Sequence, residues 1–382
     1  EMQRSLVGSE MCIRDSHCEI RWTEEAGFLP LTDRDVNTLW GRMNKTVGRV
    51  YLTDIYNVIH SEFVPLFNPF QSYFDHLPSW DGVSDPIGDL ADTVHVKSDQ
   101  AEFRDYFRKW FVGILPALLD DTVVNHEILV LIGEQGLYKT TWFNFLLPPE
   151  LRCYFYTKTN SDRLNKDDLF SLTEFALICF EELDGMRPAE LNQLKAMVTM
   201  PYVNERAAYG RNKERHPHIA SFCGTGNNVQ FLTDPTGNRR WLPFEVSQIR
   251  DPHLHAIPYE LVYSQAYALW KSGFCHWFSQ EEIRKLNTHN SRFEVPNLEE
   301  DLIRTHFRKP FEGETGIFVT AADILEQISS CLRYPLSPNK IGRIMAGLEF
   351  ESIRYKGKRG YITVKKTGED IDRERRSGAL GL

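Results

Sequence analysis

The sequence predicts an α/β fold: a mainly parallel sheet with helices on both faces, a helical region before it and a small winged-helix-like unit after it. Three observations lead there. Between Glu127 and Val246 short apolar runs alternate with amphipathic segments, the pattern of strands joined by crossover helices. One of those runs enters a helix through a glycine-containing loop that ends in Lys139-Thr140. Near the C-terminus two helical patterns precede a hairpin with a glycine turn.

The elements follow in order. From Leu31 to about Leu119 the spacing is helical. Val36, Leu39, Trp40 and Met43 recur every three to four residues, and Tyr51–Phe63 repeats the pattern. Asn68-Pro69 opens a short helix, and Trp80-Asp81-Gly82-Val83 marks a turn. Ala101–Leu119 carries an aromatic stripe, from Phe103 through Trp110 to Leu118, that reads as core packing. Glu127–Ile132 has the composition of a buried parallel strand, and Lys139–Leu147 of the helix after it. Phe175–Phe180, Ile219–Gly224 and Arg240–Val246 read as further strands, and Glu190–Thr199 as a helix. Leu261–Trp270 and Gln280–Leu286 close the domain, and acidic Glu294–Asp301 reads as a linker.

Composition bounds the function. With 42 % hydrophobic and 12 % aromatic residues the chain has ample core, which excludes global disorder. A net charge of −9 confines any nucleic-acid contact to local patches. The seven cysteines form no zinc-spaced cluster, and Cys179 and Cys223, inside apolar runs, read as reduced thiols. No apolar run approaches the ~20 residues of a membrane span, so the expectation is a cytoplasmic protein without a membrane partner. Ser5–Ser16 resembles a translated sequencing-adapter string. Residues 1–16 are therefore set apart as an artefact, and a domain upstream of them is a candidate loss. The expected divisions are a helical region over 17–98, the α/β domain over 99–293, the winged-helix-like unit over 294–366 and a polar, mobile tail over 367–382.

Gly133-Glu134-Gln135-Gly136-Leu137-Tyr138-Lys139-Thr140 matches the pattern Gly, four residues, Gly-Lys-Ser/Thr at all but one position, between a strand and a helix. That is a P-loop. Backbone N–H groups there surround phosphate oxygens, favoured by the helix dipole. Gly133, Gly136, Lys139, Thr140 and Thr141 are the nucleotide-binding candidates, with Lys139 on the β/γ-phosphates and the Thr140 hydroxyl on Mg²⁺. Tyr138 stands where glycine is expected, which brings weak binding, a shifted pose or slow turnover into play.

Leu177–Phe180 followed by Glu181-Glu182-Leu183-Asp184 has the form of a strand delivering carboxylates at its C-terminal tip. Doubly wound sheets place their ligands there. Glu182 is expected as the principal carboxylate, with Glu181 or Asp184 assisting at the metal, since Glu182 and Asp184 share a face if the strand continues. Asn227, after the Ile219–Gly226 segment, is placed to bond the attacking water or the γ-phosphate. Arg239 and Arg240, in the turn Asp234–Trp241, are candidates to stabilise phosphoryl charge, in cis or across a subunit boundary. Arg206, Tyr209, Gly210 and Arg211 form a further basic segment.

The succession Gly133–Thr140, Glu182-Leu183-Asp184-Gly185, Tyr209-Gly210-Arg211, Gly224–Asn227 and Asp234–Trp241 resembles the virulence-associated protein E family, strongly over about Asn68–Val246. The resemblance implies a P-loop NTPase of the AAA+ class, similar to the C-terminal ATPases of phage primase–helicases and grouped with superfamily 3 helicases. It implies ATP and Mg²⁺ as cofactors, with Lys139 and Thr140 as Walker A residues and Glu182 as the Walker B acid. Asn227 becomes the sensor, and Arg239 or Arg240 the arginine finger.

In the C-terminal unit, Ala321–Leu332 and Ser337–Leu348 read as helices and Phe350–Tyr355 with Tyr361–Lys365 as a hairpin, the winged-helix plan. From Tyr334 to Lys366 eight Lys/Arg face two Glu. Lys340, Arg343, Lys356, Lys358 and Arg359 are therefore DNA-backbone candidates. The expectation is an ATP-hydrolysing, helicase-like replication protein of a mobile element. It would be assembled as a ring or hexamer on single-stranded or forked DNA, with a primase as partner or lost domain. A nucleotide-gated DNA-binding or initiator module is the alternative, and a small-molecule phosphotransferase stands behind both.

Overall fold

The computed structural model describes residues 10–14, 17–21, 29–59, 61, 63–64, 68–159, 166–205, 214–233, 238–295, 298–311, 313–329 and 338–370. The chain divides into two compact units, Glu1–Glu294 and Val295–Leu382.

The first unit is built on a six-stranded sheet. Its parallel strands, in chain order, are Ile128–Ile132, Phe155–Lys158, Leu177–Phe180, Ser221–Gly226 and Trp241–Ile249. In space their order is fifth, first, fourth, third, second, and Val94–Val96 adds an antiparallel edge strand beside the fifth. Ile128–Ile132 is wholly buried, as its unbroken apolar run demands for a strand covered on both faces. Alternation sends Leu129 and Leu131 into one core and Ile128, Val130 and Ile132 into the other. The helix Gln100–Leu119 covers the first face, started by the Asp99 side chain on the Ala101 and Glu102 N–H groups. Its Trp110 indole N–H donates to the Phe222 carbonyl at 2.9 Å, which ties the aromatic stripe to the central sheet. Tyr259–Lys271 packs on the same side, while Pro188–Val198 lies over the other.

Several expectations change. The helical region does not end at residue 98 as a separate body: Phe70, Phe74, Ile87, Leu90 and Val94 belong to the main core, and Val94–Val96 is sheet. Only Asp33–Thr46 and Leu52–Ile59 keep a small core of their own, around Leu39, Met43 and Ile55. Phe155–Lys158, Lys166–Glu174 and the hairpin Tyr202–Glu205 with Glu214–Pro217 have no counterpart in the sequence reading. Glu10–Arg14, inside the segment set apart, pairs antiparallel with His17–Arg21. Cys179 and Cys223 are buried, free and directly opposed on neighbouring strands.

The second unit packs helices Leu298–His306, Ala321–Ser329 and Pro338–Gly347 against strands Phe307–Arg308, Ile317–Val319, Ser352–Tyr355 and Lys358–Lys365. The expected linker is thus partly a helix, whose Ile303 joins Ile324, Ile328, Ile341 and Tyr361 in the core. The hairpin turn is tighter than expected: Lys356 (φ 47°) and Gly357 (φ 80°) alone connect its strands, the positive-φ pair that matches strand twist. The expected tail does not start loose. Thr367 and Asp370 exchange the bonds of a helix cap, and residues 371–382 lie outside the described set.

Candidate functional site

The loop after Ile132 is shaped by what surrounds it. A Cβ on Gly133 would fall 2.9 Å from the Val246 carbonyl oxygen, so only glycine lets the chain pass there. The Gly133 N–H donates to the Gly226 carbonyl at 3.1 Å, which seats the loop beside the tip of Ser221–Gly226. Gly136 takes φ 87° and Tyr138 takes φ 60°, ψ 18°. Tyr138 thus adopts the left-handed conformation that the missing glycine would favour, at a steric cost. Its side chain is exposed and gives no cap to the helix Lys139–Leu146. The first-turn N–H groups of that helix therefore have neither intrahelical acceptors nor a capping side chain.

Lys139 is nearly buried, and its ammonium donates to the Gly133 and Glu134 carbonyls at 2.7 Å each, with Asn227 Oδ1 at 3.4 Å. Burial lowers its pKa, against the opposing pull of Asp184. The Thr140 hydroxyl donates to Glu181 Oε1 at 2.7 Å. Loop lysine, helix threonine, strand-end carboxylate and Asn227 thus meet at one edge of the sheet. Thr141 follows, half-buried on the helix.

The carboxylates sort differently from the sequence expectation. The strand ends at Phe180, and Glu182 turns left-handed (φ 53°, ψ 45°) to open the 3-10 turn Leu183–Gly185. Extended alternation therefore stops. Glu182 is exposed, while Glu181 faces Thr140. Asp184 accepts from the Asn227 and Asn228 N–H groups at 3.1 Å each and so pins the turn that carries Asn227. A Cβ on Gly226 would lie 3.0 Å from Asp184 Oδ1, so that glycine makes room for the carboxylate.

Arg239 and Arg240 are not at this edge. Trp241 pairs with Ile128 and Glu245 with Ile132 in parallel register, so the arginines lie at the opposite end of the sheet, roughly 16 Å away along the strand. The cis option is closed within one chain. The segment is braced from behind. Asn290, fully buried, donates to the Asn238 and Trp241 carbonyls at 2.7 and 3.0 Å. Asn238 donates to Glu294 at 2.7 Å, and the Phe231 and Leu232 N–H groups both reach the Phe293 carbonyl. Arg239 is exposed, whereas Arg240 is half-buried with an unpartnered Nε. Burial pushes the neighbouring Glu127 carboxyl up to about 7, with Lys109 and Arg239 among the groups opposing the shift. Burial and the two arginines lower His126. Neither the buried Asn290 nor the half-buried Glu294 belongs to a motif, so the sequence gives no signal for either brace. Arg206, Tyr209, Gly210, Arg211 and residues 234–237 lie outside the described residues.

In the second unit Arg343, Lys356, Lys358 and Arg359 are exposed, and Arg359 stands directly across from Arg354 in the hairpin. Like charges so paired repel. Lys340 is instead taken by Glu299 at 2.6 Å. No helix among the described residues is long and apolar enough to cross a membrane. No group of three or more His, Cys, Asp or Glu side chains among them could hold a metal ion.

Sheet order and loop together define an α/β protein whose strand-tip edge gathers a glycine-shaped loop, its lysine and a hydroxyl–carboxylate pair. Residues 75–295 match the Virulence-associated protein E-like domain, and the chain belongs to that family. No curated protein matches the chain. Among solved structures it is similar to the apo NrS-1 C-terminal region (305–718), at 12 % identity and TM-score 0.51, covering 96 % of this chain and 98 % of that one. The A-form apo structure of the same region aligns with TM-score 0.53 at 12 % identity, covering 96 % and 99 %. At that identity the likeness concerns the fold alone.

Proposed function

We propose that this protein is a P-loop ATPase of the superfamily 3 helicase type, acting on DNA in the replication of a mobile element. The observation that carries the reading is the meeting of Lys139, the Thr140–Glu181 pair and Asn227 at the C-terminal edge of the parallel sheet. Loop and helix N–H groups would receive the nucleotide phosphates. Lys139, now resting on two loop carbonyls, would exchange them for β/γ-phosphate oxygens. Thr140 Oγ1 and Glu181 would supply the hydroxyl and the carboxylate that a mostly hydrated Mg²⁺ takes from protein, and that ion would neutralise phosphate charge. Asn227 would orient the attacking water, held in place by Asp184. Arg239 and Arg240, far from the loop of their own chain, would serve a neighbouring copy in a head-to-tail assembly. The exposed wing cations would hold the DNA backbone.

One observation favours the second reading, a nucleotide-gated DNA-binding module: the left-handed Tyr138 next to Lys139, which holds the loop in a strained shape. ATP hydrolysis by the full chain, with and without single-stranded DNA, separates the two. Turnover stimulated by DNA is expected, and nucleotide binding without turnover would favour the module. Lys139→Ala is expected to lose nucleotide binding while keeping the fold; unchanged ATP affinity in that variant overturns both readings.

A further inference from the structure

The small helical pair Asp33–Thr46 and Leu52–Ile59 plays no part in the site above, yet it carries a groove of about 400 Å³ lined by Asn37, Trp40, Asn44, Arg49, Tyr51 and Leu52 among others. Two large aromatics stand open there, Trp40 at 42 % and Tyr51 at 54 % exposure. They are held in position. The Trp40 indole N–H donates to the Val50 carbonyl at 3.0 Å, and the Asn44 side chain both donates to that carbonyl and accepts from the Val50 N–H at 3.1 Å. The Arg49 guanidinium lies 5.0 Å from the centre of the Tyr51 ring. From Trp40 to Leu52 the charged residues are Arg42, Lys45 and Arg49, with no carboxylate, in a chain of net charge −9. The nearest acid in sequence, Asp54, turns one carboxylate oxygen to the Tyr51 N–H at 2.9 Å.

We infer that this groove binds single-stranded DNA, with unpaired bases stacking on Trp40 and Tyr51 and phosphates running past Arg49 and Lys45. Fixed, exposed rings beside cations are the means by which proteins hold single strands without reading sequence, because every base has a π-face. Duplex DNA keeps its bases stacked internally and offers the rings nothing. The inference deepens the DNA-associated reading and rests on it for the class of ligand.

The test is binding of a fluorescein-labelled oligothymidylate and of a duplex of equal length to the full chain, by anisotropy. It is run in the wild type and in a Lys356→Gln/Lys358→Gln/Arg359→Gln background that removes the wing cations. Trp40→Ala/Tyr51→Ala, which removes two stacking rings, is expected to weaken oligothymidylate binding by about 30-fold or more and to leave duplex binding unchanged, while Trp40→Phe keeps most of the affinity. Arg49→Gln is expected to reduce the slope of log K against log salt by about 0.7. Unchanged oligothymidylate affinity in the double alanine variant overturns the groove while leaving the DNA-associated reading standing. Equal loss for single strand and duplex, or Trp40→Phe as weak as the alanine variant, also overturns it. A wild type that binds neither probe overturns the groove and the wider DNA reading together.

Discussion

The Thr140 hydroxyl and Glu181 Oε1 meet at 2.7 Å across the sheet's C-terminal edge, while Glu182, one residue on, turns away into solvent. The two glutamates should therefore behave differently. Glu181→Gln is expected to cut ATP turnover by at least about a hundredfold, from loss of metal and water positioning, with the Mg²⁺ requirement shifted to higher concentration. Glu182→Gln is expected to stay within about threefold of wild type, as a surface change. Steady-state hydrolysis over a Mg²⁺ titration checks both, and equal losses would reject the assignment.

Tyr138 occupies a left-handed conformation that costs a non-glycine residue roughly 1–2 kcal/mol. Glycine removes that strain but adds disorder to the unfolded chain, worth roughly 0.5–1 kcal/mol. Tyr138→Gly is thus expected to stabilise the first unit by about 0.5–1 kcal/mol in denaturant unfolding and to raise kcat for ATP. A destabilised variant would mean that the exposed tyrosine ring makes contacts that outweigh its backbone strain.

What the residues revealed followed how local the physics is. Ile128–Ile132, Leu177–Phe180 and Lys139–Leu146 are long enough apolar or periodic runs to be read directly, and the loop between the first strand and that helix is fixed by adjacent residues. The choice between Glu181 and Glu182 was not legible, because it depends on a 3-10 turn whose Leu183 packs against Gly224 from another strand. Phe155–Lys158 carries no such apolar or periodic run, being a half-buried edge strand of mixed composition. The place of Arg239 and Arg240 at the far end of the sheet came only with the parallel register of Trp241 on Ile128.

Burial raises Glu127 to about 7, so its ionised form is disfavoured in the folded protein. The sign follows: the unfolded carboxyl ionises near 4.5 and the folded one near 7, and stability falls as pH rises through that window. The loss is at most about 3 kcal/mol by linkage. Glu127→Gln is expected to flatten the stability profile between those values, as measured by denaturant unfolding at a series of pH values. A wild-type profile that rises with pH there, relative to the variant, would contradict the assignment.

Asn290 closes two hydrogen bonds on the backbone flanking Arg239 and Arg240. Asn290→Ala leaves two carbonyls in a buried place without their donor, at a cost of about 2–4 kcal/mol. The arginine turn should loosen with it, so ATP turnover should fall while nucleotide affinity holds, since Lys139 and Thr140 lie at the other end of the sheet. Arg239→Ala/Arg240→Ala is expected to lose turnover in the same way. The decisive step is to mix that variant with Lys139→Ala, each inactive alone. An arginine-less copy still has its own loop, and a Lys139→Ala neighbour still has arginines to lend it. Mixing should therefore restore up to about a quarter of wild-type turnover if copies associate at random. The Asn290→Ala copy should fail as a lender but succeed as a borrower. No recovery in the mixture would place the arginines outside the reaction and leave Asn290 a purely structural brace.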